Sequence, residues 1–133
     1  MPVHAEEIIE PSGQDLSDLQ KIYQDAPDWL LTPFASREAL ISSGIAQRRL
    51  LAGRFNDRLL AAALIEKQQT HWRLSHLCVR AVTRQRGVAR RLLAEAQRLA
   101  HAAGKPLHLA APAGHLESQA LAAKTGLPLK PLQ

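Results

Sequence analysis

The sequence predicts an α/β protein of the α+β kind, in which a mixed, mostly antiparallel sheet is flanked by helices. Two helical patterns come first, three apolar strand-like runs follow, and a long helical pattern then leads into one more apolar run. Neighbouring strands joined by tight turns pair antiparallel, whereas a strand, a helix and a strand in succession form a parallel crossover. A length of 133 residues fits a single domain over residues 1–133.

The first half of the chain predicts one edge strand and two short helices. The strand is expected within Ala5–Glu10. Ser12 or Asp15 can cap the first helix. That helix is predicted from apolar residues at helical spacing: Leu16, Leu19, Ile22 and Tyr23. The segment Pro27–Pro33 is expected to break regular structure, and a second short helix is expected over Ser36–Gly44.

The second half predicts three antiparallel strands, a long helix, a buried parallel strand and a final short helix. In chain order these elements are Arg49–Phe55, Arg58–Ile65, Trp72–Val79, Val88–Ala103, Pro106–Ala111 and Glu117–Lys124. Asn56 and Asp57 tolerate the left-handed backbone that a two-residue hairpin turn requires, so they predict a tight turn between the first two strands. Gly104 and Gly126 are expected to end the two helices.

The net charge of +5 points to an anionic ligand or partner. Basic residues concentrate within Arg80–Arg98, with a smaller pair at Arg48 and Arg49. Aromatic residues make up only 4% of the chain, so the basic residues lack the stacking platforms of a nucleic-acid site. The clustering therefore favours a small polyanion over nucleic acid. A solvated basic helix face without a ligand is the alternative.

Location, thiol chemistry and metal binding are constrained by simple patterns. No stretch reaches the roughly 20 apolar residues of a membrane span, and the N-terminal region is acidic where a signal peptide is basic, so we expect a cytoplasmic protein without membrane contact. Cys78 is the only cysteine and lies in an apolar run, which predicts a buried, unreactive thiol. His101, His108 and His115 fall on a helix, a strand and a loop, so no metal site is expected.

The segment Arg84–Ala89 has the composition and position of an anion-binding turn. It lies between the predicted strand that ends at Val79 and the predicted long helix. Gly87 lets the backbone approach a phosphate, and the unsatisfied N–H groups at the start of the helix then point at the ligand. Three arginines add charge-assisted donors: Arg84, Arg86 and Arg90.

The spacing of this turn resembles the acyl-CoA pyrophosphate turn of the GCN5-related N-acetyltransferase (GNAT) fold. A basic residue, two further residues, Gly87, one residue and Ala89 precede Leu92 and Leu93. The predicted order of elements also matches that fold. Three segments are most similar to its PanZ/PanM family, the maturation factors of aspartate decarboxylase: Asp18–Ile22, Arg54–Ala62 and Leu77–Gly87. The sequence departs from the family pattern over Pro27–Arg48.

This resemblance implies a regulatory protein that binds acetyl-CoA, or CoA, and then docks on aspartate 1-decarboxylase or its zymogen. There it would promote self-cleavage of the zymogen in pantothenate and coenzyme A biosynthesis. The backbone of Leu77, Cys78 and Val79 is implied to pair with the pantetheine arm. The pyrophosphate is implied to be wrapped by a contiguous run: Thr83, Arg84, Gln85, Arg86, Gly87, Val88, Ala89 and Arg90.

An active N-acetyltransferase that acetylates an unidentified amine is the alternative function. Acetyl transfer needs a base and usually an acid for the departing thiolate. Acetyltransferases of this fold commonly use a Glu on the central strands and a Tyr on the last helix, but Trp72–Val79 contains no Glu and Glu117–Lys124 contains no Tyr. His71, His76 and Glu66 remain as candidate bases. We therefore expect little or no transferase activity.

The predicted hairpin tip is the candidate surface for a protein partner. Arg54 and Arg58 flank the turn, and Asn56 lies within it. These three residues are expected to contact the decarboxylase. A solvated turn that contacts nothing is the alternative.

Overall fold

The computed structural model describes residues 3–24, 26–83, 87–111 and 116–131. Within these residues the strands are β1 (His4–Glu7), β2 (Leu50–Phe55), β3 (Arg58–Lys67), β4 (Trp72–Val79), β5 (Leu107–Ala111) and β6 (Leu129–Pro131). The helices are α1 (Gly13–Tyr23), α2 (Asp28–Leu31), α3 (Arg37–Ala46), α4 (Val88–Ala102) and α5 (Leu116–Thr125). A short 3-10 helix, Ala81–Thr83, follows β4.

The strands form one mixed sheet in the order β1-β2-β3-β4-β5-β6. Neighbouring strands from β1 to β4 pair antiparallel. β5 pairs parallel to β4, and β6 pairs parallel to β5. The predicted sheet, mixed and mostly antiparallel with flanking helices, is confirmed.

The tight turn between β2 and β3 is confirmed. Phe55 pairs directly with Arg58, which leaves Asn56 and Asp57 as the two turn residues. Asn56 has a φ of 54°, in the left-handed region that Asn tolerates better than most residues. The hairpin therefore forms where the local sequence places it.

Both predicted helix starts in the first half are also confirmed. The Ser12 hydroxyl accepts a hydrogen bond from the Asp15 amide (3.0 Å), and the Asp15 carboxylate accepts one from the Ser12 amide (3.3 Å). This reciprocal pair is a capping box. The Ser36 hydroxyl accepts from the Ala39 amide (3.1 Å) and caps α3.

The sheet carries a hydrophobic core on each face. One core packs α1 and α3 against the side chains of β2 and β3 that point to that side, and Leu19, Leu50 and Leu64 are central to it. The other core packs α4 against the opposite side, with Leu92 and Leu93 completely buried. Cys78 is buried in the first core, as its apolar surroundings in the sequence predict.

Two expectations need correction. Pro27–Pro33 contains a four-residue helix, α2, which begins after Pro27 as its extended N-cap. Leu16 is 42% exposed, because α1 turns Asp18 inward instead and binds it to arginine. The proline-bearing tail, for which the sequence predicts no element, adds a sixth strand, since Leu129 pairs with Leu109 and Lys130 with Ala110.

The predicted first edge strand is confirmed, but it lies nearer the start of the chain than expected. It spans His4–Glu7, so it begins one residue before Ala5 and leaves Ile8 and Ile9 outside. Ile8 still donates its amide hydrogen to the Leu50 carbonyl (3.0 Å) and is buried, whereas Ile9 is 45% exposed. Among the described residues, no helix combines the length and the apolar character needed to cross a membrane.

Candidate functional site

The sheet opens between β4 and β5. Their parallel pairing runs only from Trp72 opposite Leu107 to Leu74 opposite Leu109. Both strands continue beyond that point, β4 to Val79 and β5 to Ala111, without pairing with each other. The carboxyl halves of β4 and β5 therefore border a gap in the ladder, and Leu77, Cys78 and Val79 lie on one side of it.

A bulge in β4 accompanies this opening. Ala62 pairs with Cys78 and Leu64 pairs with Ser75, so Ala63 alone faces the two residues between them. One of these two, His76, has a φ of 55°, a left-handed backbone in the middle of a strand. A bulge of this kind bends its strand and increases the local twist, which ends regular pairing.

The His76 side chain is buried beneath the loop that follows α2. Its Nε2 lies 2.8 Å from the Thr32 carbonyl oxygen, and its Nδ1 lies 2.8 Å from the Ser75 hydroxyl. Because a carbonyl oxygen only accepts, Nε2 carries the proton and the Nδ1 lone pair accepts from Ser75. Burial lowers the pKa of His76, and the charges of Arg49 and Arg73 lower it further against an opposing contribution from the Thr32 hydrogen bond.

The predicted phosphate turn is only partly described. Arg84, Gln85 and Arg86 lie outside the described residues. Thr83 ends the 3-10 helix after β4, and Gly87 immediately precedes α4 with a φ of 77°.

The start of α4 has the features of an anion-binding helix end. Gly87 has no side chain to cap the helix, and the first turn contains no acidic residue. Val88 is buried in the core beneath the helix, Ala89 is half-buried and Arg90 is exposed. The helix N-terminus thus presents backbone N–H groups next to a positive charge.

The three candidate catalytic bases are all engaged in other interactions. Glu66 forms ion pairs with Arg73 (2.6 Å) and Arg49 (3.3 Å) across the sheet. His71 stacks on His108 with ring centroids 4.4 Å apart. His76 has both ring nitrogens in hydrogen bonds. The structure therefore does not bring a free base to the edge of the opening among these three residues.

Two of the histidines at spacing seven lie on different elements. His101 is on α4 and His108 is on β5, and His115 lies outside the described residues. Among the described residues no group of three or more potential ligands could hold a metal ion. Burial lowers the pKa of His108, and the neighbouring His71 and Lys130 lower it further.

The arginines of the candidate partner surface bind carboxylates within the chain. Arg54 contacts Glu6 (2.7 Å) and Asp15 (3.1 Å), and Arg58 contacts Asp18 (2.6 Å). Asn56 lies exposed in the turn. Both arginines thus tie the β2–β3 hairpin to neighbouring elements, and their contact with a partner stays a prediction.

The buried polar contacts of β4 are not predicted from the sequence. Helical spacing predicts Tyr23 as a core residue of α1, yet its hydroxyl donates to the His76 carbonyl (2.8 Å). The available signal was a polar pair, Ser75 and His76, within an otherwise apolar strand. Polar groups buried in a core need partners, so such a pair indicates contacts that periodicity alone does not supply.

The fold defines a class of protein, the GNAT domains. The chain superposes on the ribosomal-protein-S18-alanine N-acetyltransferase of Escherichia coli with a TM-score of 0.70 and 19% identity, covering 94% of this chain and 77% of that one. It also superposes on the PaiA N-acetyltransferase of Thermoplasma acidophilum, solved in complex with coenzyme A, with a TM-score of 0.68 and 14% identity over 93% of this chain and 88% of that one. At these identities the similarity establishes the fold.

The sequence comparison identifies the family within that class. Residues 2–129 match the family model described as "Acetyltransferase (GNAT) domain, PanZ". The chain belongs to this family. It is also 38% identical over 87 residues to the PanD regulatory factor of Escherichia coli K12, a match that covers 65% of this chain and 60% of that protein. The matched region thus spans about three fifths of the curated relative.

Proposed function

We propose that this protein binds acetyl-CoA and, in that state, regulates aspartate 1-decarboxylase by promoting maturation of its zymogen. The observation that carries the proposal is the match of residues 2–129 to the PanZ family, together with similarity to a PanD regulatory factor. The opening between β4 and β5, next to a glycine-capped helix start, supports acyl-CoA as the ligand. The similarity to a regulatory factor of PanD, the aspartate decarboxylase, supports that enzyme as the partner.

The state of the candidate bases supports regulation over acetyl transfer. A general base needs a free lone pair within reach of the substrate proton. The Nδ1 lone pair of His76 is taken by Ser75, and Glu66 is paired with two arginines. His71 lies before β4 and stacks on His108. These contacts favour a protein that holds the thioester without turning it over.

Three measurements on the purified full chain test this proposal. Calorimetry should detect saturable binding of acetyl-CoA. Self-cleavage of the decarboxylase zymogen from the same organism should accelerate when both the protein and acetyl-CoA are added, and not with either alone. Thiol release from acetyl-CoA over a panel of amines should stay at the uncatalysed rate. Turnover of an amine without any effect on the zymogen would overturn the proposal in favour of the acetyltransferase.

A further inference from the structure

The backbone at His76 is held in an unfavourable conformation. A left-handed φ at a residue other than glycine is unfavourable and persists only where surrounding contacts fix it. At His76 the φ is 55°, in a strand whose other residues are extended. The contacts that hold His76 in this conformation therefore indicate the role of the bulge.

Tyr23 holds the bulge from the end of α1. Its hydroxyl donates a 2.8 Å hydrogen bond to the His76 carbonyl oxygen, and the side chain is 1% exposed. Burial raises the pKa of Tyr23, with the neighbouring Cys78 adding to the rise, so the phenol keeps its proton and stays a donor. The Cys78 thiol in turn donates to the Ile22 carbonyl (3.2 Å). The last turn of α1 is thus bonded to β4 on both sides of Leu77.

The imidazole of His76 anchors the bulge on its other side. Nε2 donates to the Thr32 carbonyl, and the Phe34 ring meets the imidazole edge-on with centroids 5.6 Å apart. These contacts connect β4 to the segment between α2 and α3. Because the ring is buried and neutral, both of its hydrogen bonds have a defined direction.

The bulge lies at the point where the sheet opens. Pairing of β4 with β5 stops at Leu74, and the bulge follows at His76 and Leu77, directly after Ser75. Leu77 within the bulge and the residues after it, up to Val79, are those expected to pair with a pantetheine arm. If β4 relaxed to a regular extended conformation here, the carbonyl and amide groups of the residues that follow would point in different directions.

We propose that Tyr23 and His76 are positioning residues for the acyl-CoA site, which fix the bulge and thereby set the affinity of Leu77–Val79 for the pantetheine arm. This inference rests on the proposed function, since it concerns the same ligand. The hydrogen bonds of Tyr23 and His76 join β4 to α1 and to the loop after α2. Their effect is therefore confined to the pantetheine half of the ligand.

The test is the variant Tyr23→Phe, which keeps the ring and removes the hydroxyl. We expect the Kd for acetyl-CoA to rise about tenfold, as the loss of one buried hydrogen bond predicts. The Kd for adenosine 3′,5′-bisphosphate, which lacks the pantetheine arm, should stay unchanged. The matched control is Thr125→Val, which removes the hydroxyl that donates to the Leu121 carbonyl (2.8 Å) within α5. It should change neither Kd.

Two results would overturn the inference. One is an unchanged Kd for acetyl-CoA in Tyr23→Phe, and the other is an equal loss for both ligands, which indicates general loosening of the fold. A second measurement needs no ligand. Hydrogen exchange of the amides over residues 76–79 should accelerate in Tyr23→Phe and not in Thr125→Val, and equal protection in both variants would show that Tyr23 does not hold the bulge.

The two proposals fail in distinguishable ways. If the unmodified protein does not bind acetyl-CoA, the proposed function is overturned, and with it the link between the bulge and affinity. Binding by the unmodified protein together with an unchanged Kd in Tyr23→Phe overturns the positioning role alone.

Discussion

At the scale of single residues, the pantetheine half of the candidate site at β4 and the phosphate half at the start of α4 differ in how their backbone conformation is maintained. His76 adopts a left-handed φ against its preference and needs Tyr23 and Thr32 to hold it. Gly87 adopts one at no steric cost, and a Cβ built there would meet nothing within 4 Å. The backbone conformation of His76 is fixed by tertiary contacts, whereas that of Gly87 is determined by the residue type itself. This difference explains why the glycine was predicted and the bulge was not.

Substitution of Gly87 tests the phosphate half of the site. Gly87→Val should weaken acetyl-CoA binding by more than about tenfold, because the side chain occupies the space through which a phosphate approaches the backbone. Calorimetry measures this loss. Gly104→Val is the matched control, since Gly104 has a φ of 75° and also meets nothing within 4 Å at the other end of α4. Both variants carry similar strain of about 1–2 kcal/mol, so equal affinities in the two would contradict the assignment of Gly87.

At the scale of elements, ion pairs of two buried carboxylates, Asp15 and Asp18, join α1 to the β2–β3 hairpin. Asp18 is completely buried and accepts hydrogen bonds from Arg58, from the Leu59 amide and from Gln14. Burial acts to raise the pKa of Asp18, but these hydrogen bonds outweigh it and leave the pKa below its ordinary value of 3.8. The hydrogen bond from Arg54 likewise lowers the pKa of Asp15.

Asp18 should make the stability of the protein depend on acid pH. A carboxyl group with a lowered folded pKa stabilises the fold above its unfolded value of 3.8 and loses that contribution as the pH falls through the folded pKa. At pH 7, Asp18→Ala should lower the free energy of unfolding by about 2 kcal/mol. Urea denaturation should show that the difference in free energy of unfolding between the unmodified protein and Asp18→Ala narrows below pH 3.8.

Asp57→Asn is the matched control for that experiment, because Asp57 lies exposed in the hairpin turn. It should leave the free energy of unfolding at pH 7 almost unchanged. If the difference in free energy of unfolding between Asp18→Ala and the unmodified protein stays constant at the lowest pH measured, the stabilising role of the ionised Asp18 is contradicted.

The elements that the sequence predicted are those specified by local chemistry. The Ser12 cap, the Asn56 turn and the apolar stripe of α4 each depend on residues close together in the chain. The features that the sequence did not predict depend on residues that are distant in the chain. Leu16 is exposed because Asp18 is drawn in by Arg58, and the tail becomes β6 because β5 offers it an edge. Periodicity contains no information about such partners.

At the scale of the whole molecule, the net charge of +5 is less informative than where the free charges lie. Arg54 and Arg58 are matched by carboxylates, and Arg49 and Arg73 share Glu66. Paired charges contribute little to attraction of a distant anion, because the field of each pair falls off quickly and salt screens the rest over about 10 Å. We therefore expect the start of α4 to supply the field that attracts the proposed acyl-CoA ligand.

Substitutions of Arg90 and Arg98 distinguish the effect of a charge at the start of α4 from the effect of the net charge. Each substitution, Arg90→Gln or Arg98→Gln, removes one positive charge from an exposed position on α4. Arg98 lies about 12 Å further along the helix at 1.5 Å per residue and pairs with Glu95 (2.8 Å). Arg90→Gln should raise the Kd for acetyl-CoA about tenfold at low salt, with a smaller effect as salt increases. Arg98→Gln should leave the Kd unchanged. An equal rise in both variants, measured by calorimetry over a salt series, would assign the attraction to net charge and contradict a phosphate site at the start of α4.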